Sequence, residues 1–190
     1  MNYERTLNVD ETLSASWDQL LAVDLASEVE YFSSDKRCTI QELRRFFAIK
    51  CYRDLLVRLK TAREGKTSFD ALRSVAREMR QYASERPALW AAASRTLKSD
   101  CAEWREGHNE LCDLIKSVLG ECGAHGQHAE NALYMLRSLV RGFAVHQILG
   151  SFLHVDSYDE SFERIVEIYV AGVRSVATAA QATVNATALE

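Results

Sequence analysis

The sequence has 190 residues, of which 47% are hydrophobic and 26% charged, and its formal net charge is −4 at pH 7. This length fits one compact domain with a small N-terminal appendage, and the charge gives no general attraction to nucleic acid or anionic membranes. One proline and eight glycines favour an all-α chain. No apolar run reaches the ~18 residues of a membrane span, and no signal-peptide pattern is present. With five scattered cysteines, these features predict a cytoplasmic protein.

The first predicted element is an amphipathic helix near the N-terminus. Between residues 13 and 32 the apolar side chains recur at helical spacing, at Leu13, Trp17, Leu20, Leu21, Leu25, Val29 and Phe32. No glycine or proline interrupts this stripe. We therefore expect it to pack on the body of its own domain or on a partner, as one helix or two.

Four further helices are predicted before residue 120. A capping box at Thr39–Glu42 starts the first of them, which stops at Gly65. The next begins after residue 67 or 68, and Pro87 suits the first position of a short helix. Another runs from about residue 101 to 119, and a loop with three glycines follows it at residues 120–126.

Two strongly apolar helices occupy residues 128–176, and the second opens with a capping box at Ser157–Glu160. The tail after Ala177 is expected to fray. Each helix is apolar over more than the roughly 100° that packing on one side requires. We predict a four-helix bundle with a second copy of the chain, formed through Leu139, Gly142, Phe143, Val166 and Val173. A buried helical hairpin within one chain is the alternative.

The segments Glu85–Trp90, Leu136–Ala144 and Asp159–Val166 resemble, in this order, parts of the regulatory domain of TetR-family transcription regulators. The most similar branch carries a Trp-x-x-x-His-Gly element. Here Arg137 stands in the place of the Trp and Arg141 in the place of the His. The resemblance implies an all-α regulatory domain over residues 39–190 that dimerises through its last two helices.

In this family a helix-turn-helix module precedes the regulatory domain, and here residues 1–38 would have to form it. Too few residues precede Leu13 to form the first helix of the module. Residues 1–37 carry eight acidic side chains against three basic ones, whereas DNA affinity depends on Lys and Arg neutralising phosphates. We interpret the segment as a truncated or degenerate helix-turn-helix whose DNA binding is weak or absent.

The resemblance also implies an effector pocket among the middle helices. The residues able to line it are Phe47, Tyr82, Trp90, Trp104 and His108, of which the last two share one helix face. An apolar wall with a few polar groups suits a small, largely apolar effector. The alternative for these residues is a place in the hydrophobic core.

The sequence gives little support for metal binding or catalysis. Cys122, His125 and His128, with Cys112 nearby, match no common zinc spacing, so no metal is predicted. The sequence has no nucleophile–base motif, phosphate-binding glycine loop or His-Glu-x-x-His element. We therefore predict neither an enzyme nor a cofactor.

These observations together predict a TetR-like regulatory protein. It would be a homodimer that binds a small, largely apolar effector and acts through protein contacts or ligand sequestration, without membrane association. The alternative is a conventional DNA-binding repressor that its ligand releases from DNA.

Overall fold

The computed structural model describes residues 40–95, 101–148 and 157–187, and within these ranges the regular structure is helical. The helices are α1 (Ile40–Arg63), α2 (Ser68–Glu85), α3 (Pro87–Arg95), α4 (Ala102–Glu121), α5 (Gly126–Ile148) and α6 (Tyr158–Thr187). The prediction of an all-α fold is confirmed. Three predictions concern positions outside the described residues or at their edge. They are the helix at residues 13–32, the capping box that begins at Thr39 and the domain boundary between residues 38 and 39. None of the described helices is both long and apolar enough to cross a bilayer.

Helix α2 is the centre of the fold, since it contacts each of the other five described helices. Its core-facing residues recur at helical spacing, and four of them, Ala71, Leu72, Val75 and Ala76, are 0% exposed. Alanines at these positions let neighbouring helices approach closely, so that burial is shared among several contacts. The apolar spacing of this segment thus produces one central helix with neighbours on most of its sides.

A series of ion pairs joins α2 to α6 along their exposed edge. Arg73 binds Glu167 through two hydrogen bonds of 2.6 and 2.9 Å, and Arg77 binds Glu163 in the same way. Such half-exposed pairs contribute little to the free energy of unfolding, but their paired geometry fixes the register of the two helices. Glu163 and Glu167 of α6 therefore face arginines of α2.

Helices α5 and α6 pack against each other. The rings of Phe143 and Phe162 meet edge to face with centroids 5.0 Å apart, and Val166 is 0% exposed. The hydroxyl of Tyr169 donates to the carbonyl oxygen of Ala132 at 2.9 Å. These buried contacts join the two helices within one chain.

Most helix ends follow from local residues. Pro87 is the first residue of α3, and the Ser157 hydroxyl accepts the N–H of Glu160 at 3.3 Å, as the capping box predicts. The prediction that the chain frays after Ala177 is wrong, because α6 continues to Thr187. Alanine has the highest intrinsic helix propensity, and the alanines of this segment offset the lower helix propensity of its threonines.

Removing one hydroxyl tests the contact between α5 and α6. Tyr169→Phe deletes the hydrogen bond to Ala132, and we expect the free energy of unfolding to fall by about 1 kcal/mol in urea denaturation. The control is Tyr134→Phe, which removes a hydroxyl from a side chain that is 59% exposed and should change stability by less than about 0.5 kcal/mol. Equal losses in both variants would contradict this account of the helix pair.

Candidate ligand-binding site

A cavity of about 240 Å³ lies at the meeting point of helices α1 to α5. Most of its wall is apolar and comes from α1 to α4, including Leu55, Met79, Trp90, Ala93, Leu111 and Ile115. Each of the five helices therefore contributes residues to the lining of one cavity, which opens to solvent beside the exposed Tyr134. An apolar wall with a few polar groups is the usual composition of a small-molecule site.

The polar side of the cavity belongs to α5. Tyr134, Arg137, Ser138 and Arg141 all line it, and their spacing of three and four residues places them on one face of the helix. Neither arginine is among the residues that the sequence predicts to line the pocket. The signal that could have identified them is their position, since they replace the Trp and His of the most similar TetR branch.

Arg137 connects this polar side to α4. Its Nη1 atom donates to Nε2 of His108 at 3.2 Å and lies 3.9 Å from the sulfur of Cys112. Burial, followed by the positive charge of Arg137, lowers the pKa of His108 below its ordinary value of 6.5. Burial also raises the pKa of Cys112. At neutral pH both groups in contact with Arg137 are therefore uncharged.

An aromatic cluster stands behind the wall. The rings of Trp104 and His108 stack with centroids 5.3 Å apart and an angle of 14° between their planes. Tyr52 meets both rings edge on, at 6.0 and 5.6 Å, and its hydroxyl donates to the carbonyl oxygen of Ala93 at 3.1 Å. Tyr52 itself lines the cavity, so it couples the stacked pair to the site. The sequence analysis did not single it out.

The five residues predicted to line a pocket occupy three kinds of position. Trp90 is part of the cavity wall. Trp104 and His108 lie one layer behind it, where Tyr52 and Arg137 contact them. Phe47 and Tyr82 are each 1% exposed in the hydrophobic core and are not part of the cavity wall. The roles of all five in binding an effector stay predictions.

The residues predicted for a dimer interface divide in a similar way. Phe143, Val166 and Val173 are at most 5% exposed within one chain. Leu139 and Gly142 are half-buried, and a Cβ atom at Gly142 would meet no other atom within 4 Å. A substitution at Val166 would therefore test the core of the protomer before it tested an interface.

A different set of apolar residues lies on the outer face of the α5–α6 pair. Met135 is 54% exposed, Ile168 70% and Val176 40%. Met135 and Val176 border a shallow groove that also includes Gly172, and Gly172 lies four residues from both Ile168 and Val176 on the same helix face. We call Met135, Ile168, Gly172 and Val176 the outer apolar face.

In the part of the chain that the structure describes, no group of three His, Cys, Asp or Glu side chains is placed to hold a metal ion. Cys122, one of the residues weighed for zinc in the sequence, instead contacts the hydroxyl of Ser68, which lies 3.9 Å from its sulfur.

Comparison with known proteins adds a family and a fold. The profile of the family described as tetracyclin repressor-like, C-terminal domain, matches residues 72–169. No curated protein matches the chain. A solved structure from Rhodococcus sp. RHA1, described as a protein with unknown function, aligns with a TM-score of 0.65 at 14% identity. The alignment covers 90% of this chain and 98% of that chain, and at this identity the likeness concerns the fold alone.

The lowered pKa of His108 predicts a pH dependence of stability. The unfolded chain binds the proton near the ordinary pKa of 6.5, while the folded chain binds it only at lower pH. The contribution of His108 is therefore fully present above pH 6.5 and is lost as the pH falls through the folded pKa. The free energy of unfolding is measured by denaturant titration at pH 7.5 and at pH 5.5. Between these two pH values it should fall less for His108→Gln than for the wild type, and the difference should be at most about 1.4 kcal/mol per pH unit.

The exposed His125 provides the matched control for this measurement. His125→Gln makes the same substitution at an exposed position and shows what the change of side chain does by itself. A pH dependence of His108→Gln that is indistinguishable from the wild type would contradict the partly buried, neutral state of His108.

Proposed function

The chain belongs to the tetracyclin repressor-like, C-terminal domain family, and on this premise we propose that it is a ligand-responsive regulator whose effector binds in the cavity between α1 and α5. The observation that carries the proposal is the cavity itself, which has an apolar wall from four helices and a polar side from α5. A small, largely apolar effector suits such a wall. Mass spectrometry of a ligand retained through purification would identify it.

The position of the cavity supports a regulatory role for its ligand. Because five helices meet there, a ligand that fits one arrangement of them better than another shifts the population toward that arrangement. Helix α5 then passes the difference to α6, since these two helices pack directly on each other. A change at the cavity can thus reach the outer apolar face.

Family membership supports a regulator without catalytic activity, and the chemistry of the cavity agrees. Its two thiols are Cys51 and Cys112. Burial raises the pKa of Cys51 to about 12 and also raises that of Cys112. Both thiols are protonated at neutral pH and are therefore poor nucleophiles.

Filling the cavity tests whether it is the ligand site. Ala93→Leu adds a branched side chain to the wall at a helical position, and we expect at least a fivefold loss of affinity for the uncharged fluorophore N-phenyl-1-naphthylamine. The matched control, Ala102→Leu, makes the same change at an exposed position of α4 and should bind as the wild type does. Equal affinity of both variants would place the bound fluorophore elsewhere.

We also propose that the protein is a homodimer and that the outer apolar face is its interface. Exposed apolar side chains on neighbouring helices, with glycines between them, suit close approach of a second helix pair. A Cβ atom at Gly142 or Gly172 would have open space around it. The interface would thus use the outer face of α5 and α6, the two helices that the sequence predicts to form the dimer.

A charge on the outer apolar face should separate the subunits. Ile168→Glu would place a carboxylate in the proposed interface, where burial of an unpaired charge is costly, and we expect a monomer by sedimentation velocity. Val57→Glu makes a comparable change at another apolar side chain, 65% exposed on α1, and should leave the dimer intact. A wild-type monomer, or an Ile168→Glu variant that remains a dimer, would refute the proposed interface.

We propose that the protein acts through protein contacts or ligand sequestration, with weak or absent DNA binding. Residues 1–38 lie outside the described residues, and the support is their charge of eight acids against three bases up to residue 37. Acidic side chains near phosphates oppose binding. The alternative, a conventional repressor released by its ligand, would require this segment to bind DNA despite its charge.

Binding to the DNA upstream of its own gene separates these two modes of action. We expect a dissociation constant weaker than about 1 µM at 150 mM salt, no better than for an unrelated duplex of equal length. Nanomolar affinity for the upstream DNA alone, falling steeply between 50 and 200 mM salt, would instead establish the conventional repressor.

A further inference from the structure

We propose that the effector carries an anionic group at one end of an apolar body, and that Arg137 and Arg141 bind this group. The inference rests on the proposed function, because it specifies the chemistry of the ligand in the same cavity. It depends on the placement of two guanidinium groups on one side of a wall that is otherwise mostly apolar.

Arg137 and Arg141 are four residues apart on α5 and line the same cavity, so both guanidinium groups extend from one helix face. The hydroxyl-bearing side chains of Tyr134 and Ser138 lie on that face as well. A planar guanidinium with several N–H donors suits the paired oxygens of a carboxylate or phosphate. This side of the cavity is therefore rich in hydrogen-bond donors.

Arg58, Arg73 and Arg77 each bind a carboxylate elsewhere in the fold. Among the described residues no Asp or Glu pairs with Arg137 or Arg141, and none lines the cavity. The two cavity arginines thus differ from the arginines that bind neighbouring helices together.

Two neutral groups of α4 contact Arg137. Its partners are the ring nitrogen of His108 at 3.2 Å and the sulfur of Cys112 at 3.9 Å. The lowered pKa of His108 and the raised pKa of Cys112 keep both groups uncharged. A partly buried cation with neutral partners gains most from an anion, because charge-assisted hydrogen bonds are the stronger ones.

The same arrangement disfavours other ligands. A cationic head group at this side would be repelled by two guanidinium groups and would find no carboxylate among the described residues of the cavity wall. A neutral ligand would leave Arg137 with uncharged partners only. The apolar wall from α1 to α4 accommodates a hydrocarbon body but not a second charge. The cavity therefore suits a molecule with one anionic end.

The test compares three ligands that share an eight-carbon chain and differ in charge. Octanoate, octan-1-ol and octylamine are titrated into the full chain by calorimetry at pH 7.5, below their aggregation concentrations. We expect octanoate to bind at least tenfold more tightly than octan-1-ol, and octylamine to bind most weakly. If octan-1-ol binds as tightly as octanoate, the anionic inference is overturned while the apolar site stands. If none of the three binds, the proposed site fails as well.

Variants then assign the preference to the two arginines. Arg137→Met and Arg141→Met should each reduce the ratio of octanoate to octan-1-ol affinity severalfold. Arg105→Met, at an exposed position of α4, should leave the ratio unchanged. Arg137→Lys keeps the charge and should retain most of the preference, which separates charge from folding. An unchanged ratio in both methionine variants would overturn the assignment.

Discussion

The burial of α2 is the constraint on which the rest of the structure depends. Its alanines and Val75 are fully buried, and their small size lets five other helices pack around one axis. Met79 of the same helix reaches the cavity, while Arg73 and Arg77 on its exposed edge bind α6. One helix therefore positions both the candidate ligand site and the last helix, and a bulkier residue on its buried face would disturb both.

Helix α5 links the cavity to the outer surface because its faces have different partners. One face presents Arg137 and Arg141 to the cavity, while Leu133, Leu136 and Val140 are buried in the core. Met135 is exposed on the outer apolar face. A ligand that moves the arginine-bearing face also moves the exposed one, since a helix responds as a rigid unit. This arrangement would give a physical route from the proposed ligand site to the proposed subunit interface.

The helical fold and most helix ends could be predicted from the sequence, because apolar spacing, Pro87 and the Ser157 capping box act locally. The family could be predicted from an ordered set of short segments. The sequence could not predict that Arg137 lines the cavity. A charged residue on an apolar helix is usually solvated, and only the packing shows which side of the helix faces the cavity. The burial of Val166 within one chain could not be predicted either, because a hydrophobic stripe does not reveal whether its partner is the same chain or a second copy.

The central claim is that the cavity between α1 and α5 binds the effector with its charged end at α5. The most direct measurement is photo-cross-linking with an octanoate analogue that carries a diazirine near its methyl end, followed by peptide mapping of the labelled chain. The account predicts labels on wall residues of α1 to α4, such as Leu55, Trp90 and Leu111, that excess octanoate suppresses. Labels confined to the outer apolar face around Met135 and Val176 would contradict it.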